Sequence, residues 1–119
     1  MPGFVDLIVW REAAALAGRI DGVAKTLRQI GATDAARQIL RAAESIPANI
    51  AEGYGRGVGK DGLRFFRIAK ASADEVENHL RVAGFTKRLP ADLIDDLLRH
   101  TIRVRYLILQ FMKSIERRM

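Results

Sequence analysis

Proline in the middle of a helix-patterned stretch is the feature that most limits what this chain folds into. The stretch is AAESIPANIAEGYGR, Ala42 to Arg56. At 100° per residue, Arg41, Ser45, Asn49, Glu52 and Arg56 fall within about 40° of one line. Ile39, Ala43, Ile46, Ile50 and Tyr54 fall roughly 100–180° away. One helix thus carries an apolar stripe and an ordered polar stripe. Pro47 removes the bond to the carbonyl of Ala43, so a kinked amphipathic helix is expected.

Three more stretches show helical spacing. The first runs from about Asp6 to Ile30, with Leu7, Trp10, Ala14, Ala17 and Leu27 facing inward and Gly31 as its left-handed cap. The helix holding Pro47 starts near Thr33 or Asp34, both good N-caps, and runs to about Tyr54. Glycines at 53, 55, 57, 59 and 62 make a flexible turn. Asp61 caps the third helix, which runs to about Thr86 with Phe66, Ala69, Ala73, Val76 and Leu80 inward. Pro90 suits the first turn of the fourth, which runs to about Arg117. Short links between long helices make antiparallel neighbours. The expected fold is all-α, an antiparallel up-down-up-down four-helix bundle, with residues 1–119 as a single domain.

The 119 residues contain no cysteine, which excludes disulfides and thiolate metal sites and fits a reducing, cytoplasmic setting. No apolar run is long enough to span a membrane, and the start has no signal-peptide pattern. His79 and His100 sit on different helices, so too few ligands have usable spacing for a metal. The pairs Glu75–His79 and Asp96–His100 read as surface contacts. Gly57, Gly59 and Gly62 match GxGxxG, but they follow a helix rather than a strand, which removes the dinucleotide reading. Arg56 and Lys60 beside free backbone amides still suit a phosphate. Ser45 has no histidine to activate it, so no enzyme and no cofactor is implied.

The charge is uneven. Residues 1–59 hold 7 basic and 6 acidic side chains, and residues 60–119 hold 13 and 8, within a net charge of +6. A basic surface attracts polyanions by counterion release. On the last helix Arg99, Arg103, Tyr106, Gln110, Lys113 and Arg117 share one face, which suits phosphate contact with base stacking. Arg64, Arg67 and Lys70 form a second basic set on the third helix. The alternative is a solvated face whose charge serves solubility alone. The fourth helix is also apolar over roughly 200° of its surface, more than one core needs. Leu98, Arg105, Leu109 and Met112 on that wide arc read as a subunit interface.

The chain resembles a family named four helix bundle protein, on QxxRAxxSIxxNIAEGxGR followed by FxxIAxxSxxE. The first motif is met by Gln38, Arg41, Ala42, Ser45, Ile46, Asn49, Ile50, Ala51, Glu52, Gly53, Gly55 and Arg56. The second is met by Phe65, Ile68, Ala69, Ser72 and Glu75. The opening, with Phe4, Leu7 and Trp10, is also similar. Ala71 departs from the glycine more usual before the serine. The family includes proteins encoded by intervening sequences in bacterial 23S ribosomal RNA and the accessory protein of diversity-generating retroelements. The resemblance implies a homopentamer and, as partner, a reverse transcriptase with its template RNA, or ribosomal RNA. Within the motif, Ser45, Pro47, Asn49, Glu52, Arg56, Ser72 and Glu75 are expected to be structural. Asn49 and Glu52 would satisfy groups freed by Pro47 or reach Ser72 and Glu75 across helices.

Overall fold

A computed structural model describes residues 3–57 and 59–119. A short 3-10 turn, Phe4–Asp6, leads into four helices: α1 Ile8–Gln29, α2 Thr33–Gly55, α3 Lys60–Phe85 and α4 Ala91–Arg118. They form a rod of 47 × 20 × 18 Å, a length set by the 28 residues of α4 at about 1.5 Å each. Each helix packs on the next, and α4 closes back on α1. Of these four seams, that between α4 and α1 is the least extensive. Among the described residues there is no strand.

The periodicities explain the packing. On α3, Phe66, Ala69, Ala73, Val76 and Leu80 are fully buried, as their spacing requires. On α2, Ile39, Ala43, Ile46 and Ile50 are buried, and the helix runs unbroken through Pro47. On α1 the inward face is rotated from the one expected. Val9, Ala13, Leu16 and Ile20 fill the core, with Leu27. Trp10, Ala14 and Ala17 instead flank it and line an open groove against Pro47, Ala48 and Ala51 of α2.

The helix ends also differ in detail. Ala32, not Thr33 or Asp34, is the N-cap of α2, without a side-chain bond. Asp34 lies in the first turn, where it holds Arg37 and accepts from Gln38 at 3.1 Å. Asp61 is inside α3 behind an N-cap at Gly59, and Pro90 is the N-cap of α4 rather than its first turn. Two of the three interhelix links close the same way. After α1, Ala32 donates to Leu27 O at 2.9 Å around Gly31, whose φ is 81°. After α3, Arg88 donates to Ala83 O at 2.9 Å around Lys87, whose φ is 57°. Glycine adopts that left-handed conformation freely; lysine does so at a cost.

Candidate nucleic-acid interface

The glycine turn is a helix crossing. A Cβ on Gly53 would lie 2.8 Å from Gly62 O and 2.9 Å from the Phe66 ring. A Cβ on Gly62 would lie 2.7 Å from Gly53 O and overlap Gly57 O as well. Both obstacles at Gly62 are backbone, so the two helices meet here only because neither carries a side chain. Gly57, with φ 86°, then turns the chain toward α3.

Both arginines around this turn, Arg56 and Arg64, are held by acids. Arg56 bonds Glu52 at 3.1 Å and Asp61 at 3.0 Å. Arg64 bonds Asp61 at 3.3 Å, and both guanidinium carbons lie 4.9 Å from the centre of the Phe65 ring. The hydrogen bond from Arg56 holds the Asp61 carboxyl below its ordinary value, and Asp61 raises Arg56 in return. The two arginines thus brace the α2–α3 turn.

The polar stripe of α2 forms a smaller network than expected. Ser45 Oγ meets Ser72 Oγ of α3 at 2.9 Å. Asn49 donates its amide to Ser45 O at 2.8 Å and to Ser45 Oγ at 2.9 Å. Asn49 therefore does not serve the Ala43 carbonyl freed by Pro47. Glu52 and Glu75 do not cross between helices either: Glu52 holds Arg56, and Glu75 faces His79 at 3.4 Å.

On α4 the candidate basic face divides in two. Toward its start, Arg99 lies 3.6 Å from Asp96, and Arg103 reaches Glu12 of α1 at 3.3 Å. Toward its end, Lys113, Arg117 and Arg118 have no acidic group within 4 Å among the described residues. Tyr106 stands between, 58% exposed. On α3, Arg64 and Lys70 are paired, with Asp61 and with Asp74 at 2.7 Å, while Arg67 is exposed with no such partner. Charge that is already neutralised within a fold contributes little to counterion release. On α4 the cations left without an acidic partner among the described residues are therefore those of the last two turns.

The apolar arc of α4 also divides. Leu98 is buried in the core of the single chain, and Arg105 is turned onto α3. Arg105 Nη1 lies 3.0 Å from Asp74 and 2.5 Å from Glu77. Met112 packs partly against the core, and Leu109 stays exposed. Ile102, which the spacing also places on the wide arc, makes an exposed stripe with Tyr106 and Leu109. Of the two histidine pairs read as surface contacts, Glu75–His79 forms and Asp96–His100 does not. Asp96 turns to Arg19 of α1 and His100 to Glu12 at 3.4 Å. No cluster of three potential ligands occurs among the described residues, and no helix among them is long and apolar enough to cross a membrane.

A four-helix bundle closed at one end by a glycine crossing, with the SIPANIAEGYGR segment bound to the next helix through Ser45 and Ser72, defines the structural class. The chain matches the family of the 23S rRNA-intervening sequence protein over residues 5–110, and it belongs to that family. Among proteins of curated function, none matches. A crystal structure from Bacteroides thetaiotaomicron, described as a protein of unknown function from the S23 ribosomal protein family, has the same fold. It superposes with a TM-score of 0.85 at 24% identity, over 89% of this chain and 99% of that one.

Proposed function

We propose that this protein is a non-enzymatic homo-oligomer that holds RNA or DNA by its phosphates, through the C-terminal half of α4. The observation that carries this reading is that Lys113 and Arg117, in line with an exposed Tyr106, have no acidic partner among the described residues, with Arg118 a further such cation on an adjoining flank of the helix. Binding would be electrostatic and largely indifferent to sequence. Repetition around a ring, a pentamer by the family resemblance, would multiply a modest affinity per chain. A reverse transcriptase or a ribosomal RNA is the setting that the same resemblance suggests.

The test is fluorescence anisotropy with labelled RNA and duplex DNA at low and physiological salt, with mass measured by light scattering. The Lys113→Glu/Arg117→Glu variant is expected to bind at least about tenfold more weakly, with a salt slope smaller by about two. An absence of binding at low salt would end the reading. A second reading rests on the stripe Ile102–Tyr106–Leu109. Exposed apolar groups at this spacing suit a protein partner, with the charge serving only to steer it. Charge reversal with no effect on any binding favours this assembly module.

A further inference from the structure

At the end of the rod where α2 and α4 finish lies a cavity of about 230 Å³. That is more than the roughly 150 Å³ that holds one benzene ring, and less than the roughly 300 Å³ of the smallest drug-sized pockets. One ring system with a small polar group fits. The walls suit a planar ring. Phe66 is fully buried and stacks on Phe111, with centroids 5.0 Å apart and planes at 29°. Phe111 is the less buried member, and Tyr54 lines the cavity with it. The space persists because Gly57 contributes backbone alone, and Gly53 has no room for a Cβ against Phe66.

The polar groups sit at one side. Ser114 and Arg118 are four residues apart on α4, so they share a face and both line the cavity. Arg118 has no acidic group within 4 Å among the described residues, and the unpaired Arg117 adjoins it. A ring-sized apolar space beside a hydroxyl and an unneutralised guanidinium matches a planar base carrying a phosphate.

We propose that this cavity receives one unpaired base of a single-stranded nucleic acid, with the adjoining phosphate on Arg118. This rests on the nucleic-acid reading above and gives it a site. The base meets Phe111 and Tyr54, its polar edge has the Ser114 hydroxyl and the Gly57 backbone within the same space, and its phosphate leaves toward Arg117. A paired, stacked base in a duplex is not available to enter. Charge density alone favours the duplex, because it carries more phosphates per unit length. A preference for single strands therefore reports the cavity and not the charge.

The experiment has two probes. Labelled single-stranded RNA and a duplex of equal length are titrated against the wild type, Ser114→Trp, which fills the cavity, and Arg118→Ala, an exposed position at a helix end. Adenosine 5′-monophosphate is titrated against the ¹⁵N-labelled protein. The single strand is expected to bind more tightly than the duplex. Ser114→Trp should weaken the single strand about tenfold while leaving the duplex unchanged. Arg118→Ala should weaken the single strand more than the duplex, which keeps the test valid if the tryptophan disturbs folding; an equal loss for both polymers would assign Arg118 to the electrostatic surface alone. The mononucleotide should move the amide signals of Gly57, Ser114 and Ile115. Unchanged single-strand affinity in both variants, with those amides unmoved, overturns the proposal while duplex binding still upholds the electrostatic reading. If neither polymer binds at low salt, the electrostatic reading fails. Amide shifts abolished by Ser114→Trp would then still establish the cavity as a nucleotide site, and their absence would remove it.

Discussion

Arg19 of α1 donates a hydrogen bond from Nη1 to Nδ1 of His100 on α4, at 3.0 Å. A guanidinium has no acceptor, so Nδ1 must accept. The other ring nitrogen, Nε2, faces Glu12 of α1 at 3.4 Å. Neutral His100 is thereby held as the tautomer that carries its proton on Nε2. Arg19 also holds Asp96, so one arginine ties α1 to two successive turns of α4 along the bundle's least extensive seam.

The tautomer is directly measurable. In its neutral form the ¹⁵N shifts of His100 should show a pyridine-type Nδ1 and a pyrrole-type Nε2. The Arg19→Met variant should lose that preference. A dominant Nδ1–H form in the wild type would contradict the arrangement.

Glu77 makes a pH-dependent contribution to the α3–α4 contact. The hydrogen bond from Arg105, and then that from Arg81, hold its carboxyl below the ordinary glutamate value against the opposing effect of burial. A lowered folded-state value stabilises the fold above about pH 4.3, and this is lost as pH falls through the folded-state value. Glu77→Gln should therefore destabilise the protein by about 1–3 kcal/mol at pH 7. The gap to the wild type should close in acid, as pH falls through the lowered folded-state value. Urea unfolding at the two pH values checks it; a gap that stays constant would show that the charge is not what matters.

Two substitutions that exchange glycine and a side chain should move stability in opposite directions. Gly62→Ala puts a Cβ against two backbone carbonyls that have no room to retreat. It should cost about 1–3 kcal/mol or more, as overpacking does. Lys87→Gly relieves a left-handed lysine in a link built like the one at Gly31. It should stabilise by about 1 kcal/mol. Thermal melts of both variants decide the matter, and equal signs would refute the backbone account.

These positions show what a single sequence displays and what it hides. The α3 core from Phe66 to Leu80 is legible because its apolar residues form one stripe at one period. On α1, Trp10–Ala14–Ala17 and Val9–Ala13–Leu16 are two apolar stripes side by side, and periodicity alone does not choose between them. Arg105 sits among apolar neighbours on its own helix, while the acids that claim it, Asp74 and Glu77, lie on another. Arg103 meets Glu12, 91 residues earlier. Which cations of the basic face remain unpaired is thus a property of packing, absent from local spacing. The glycines read as a flexible turn; their close approach to one another becomes visible only once α2 and α3 are placed together.

The Ser45–Ser72 contact supplies the sharpest test of the family's polar stripe. Ser45 Oγ accepts from Asn49 and shares a hydrogen bond with Ser72 Oγ in which either hydroxyl can donate. Ser45→Ala removes one of the two acceptors of the Asn49 amide, keeping Ser45 O, and leaves the nearly buried Ser72 hydroxyl without that partner. Each single alanine variant should cost about 1 kcal/mol, part of it the penalty on the hydroxyl left behind. The double variant has no stranded hydroxyl, so it should cost less than the two singles together, with a coupling of about 0.5–1.5 kcal/mol. Strict additivity in urea unfolding would mean that the two hydroxyls do not interact. The same series, followed by light scattering, would show whether this bond also governs assembly: a loss of mass in Ser45→Ala at unchanged helix content would tie the α2–α3 register to the subunit contact.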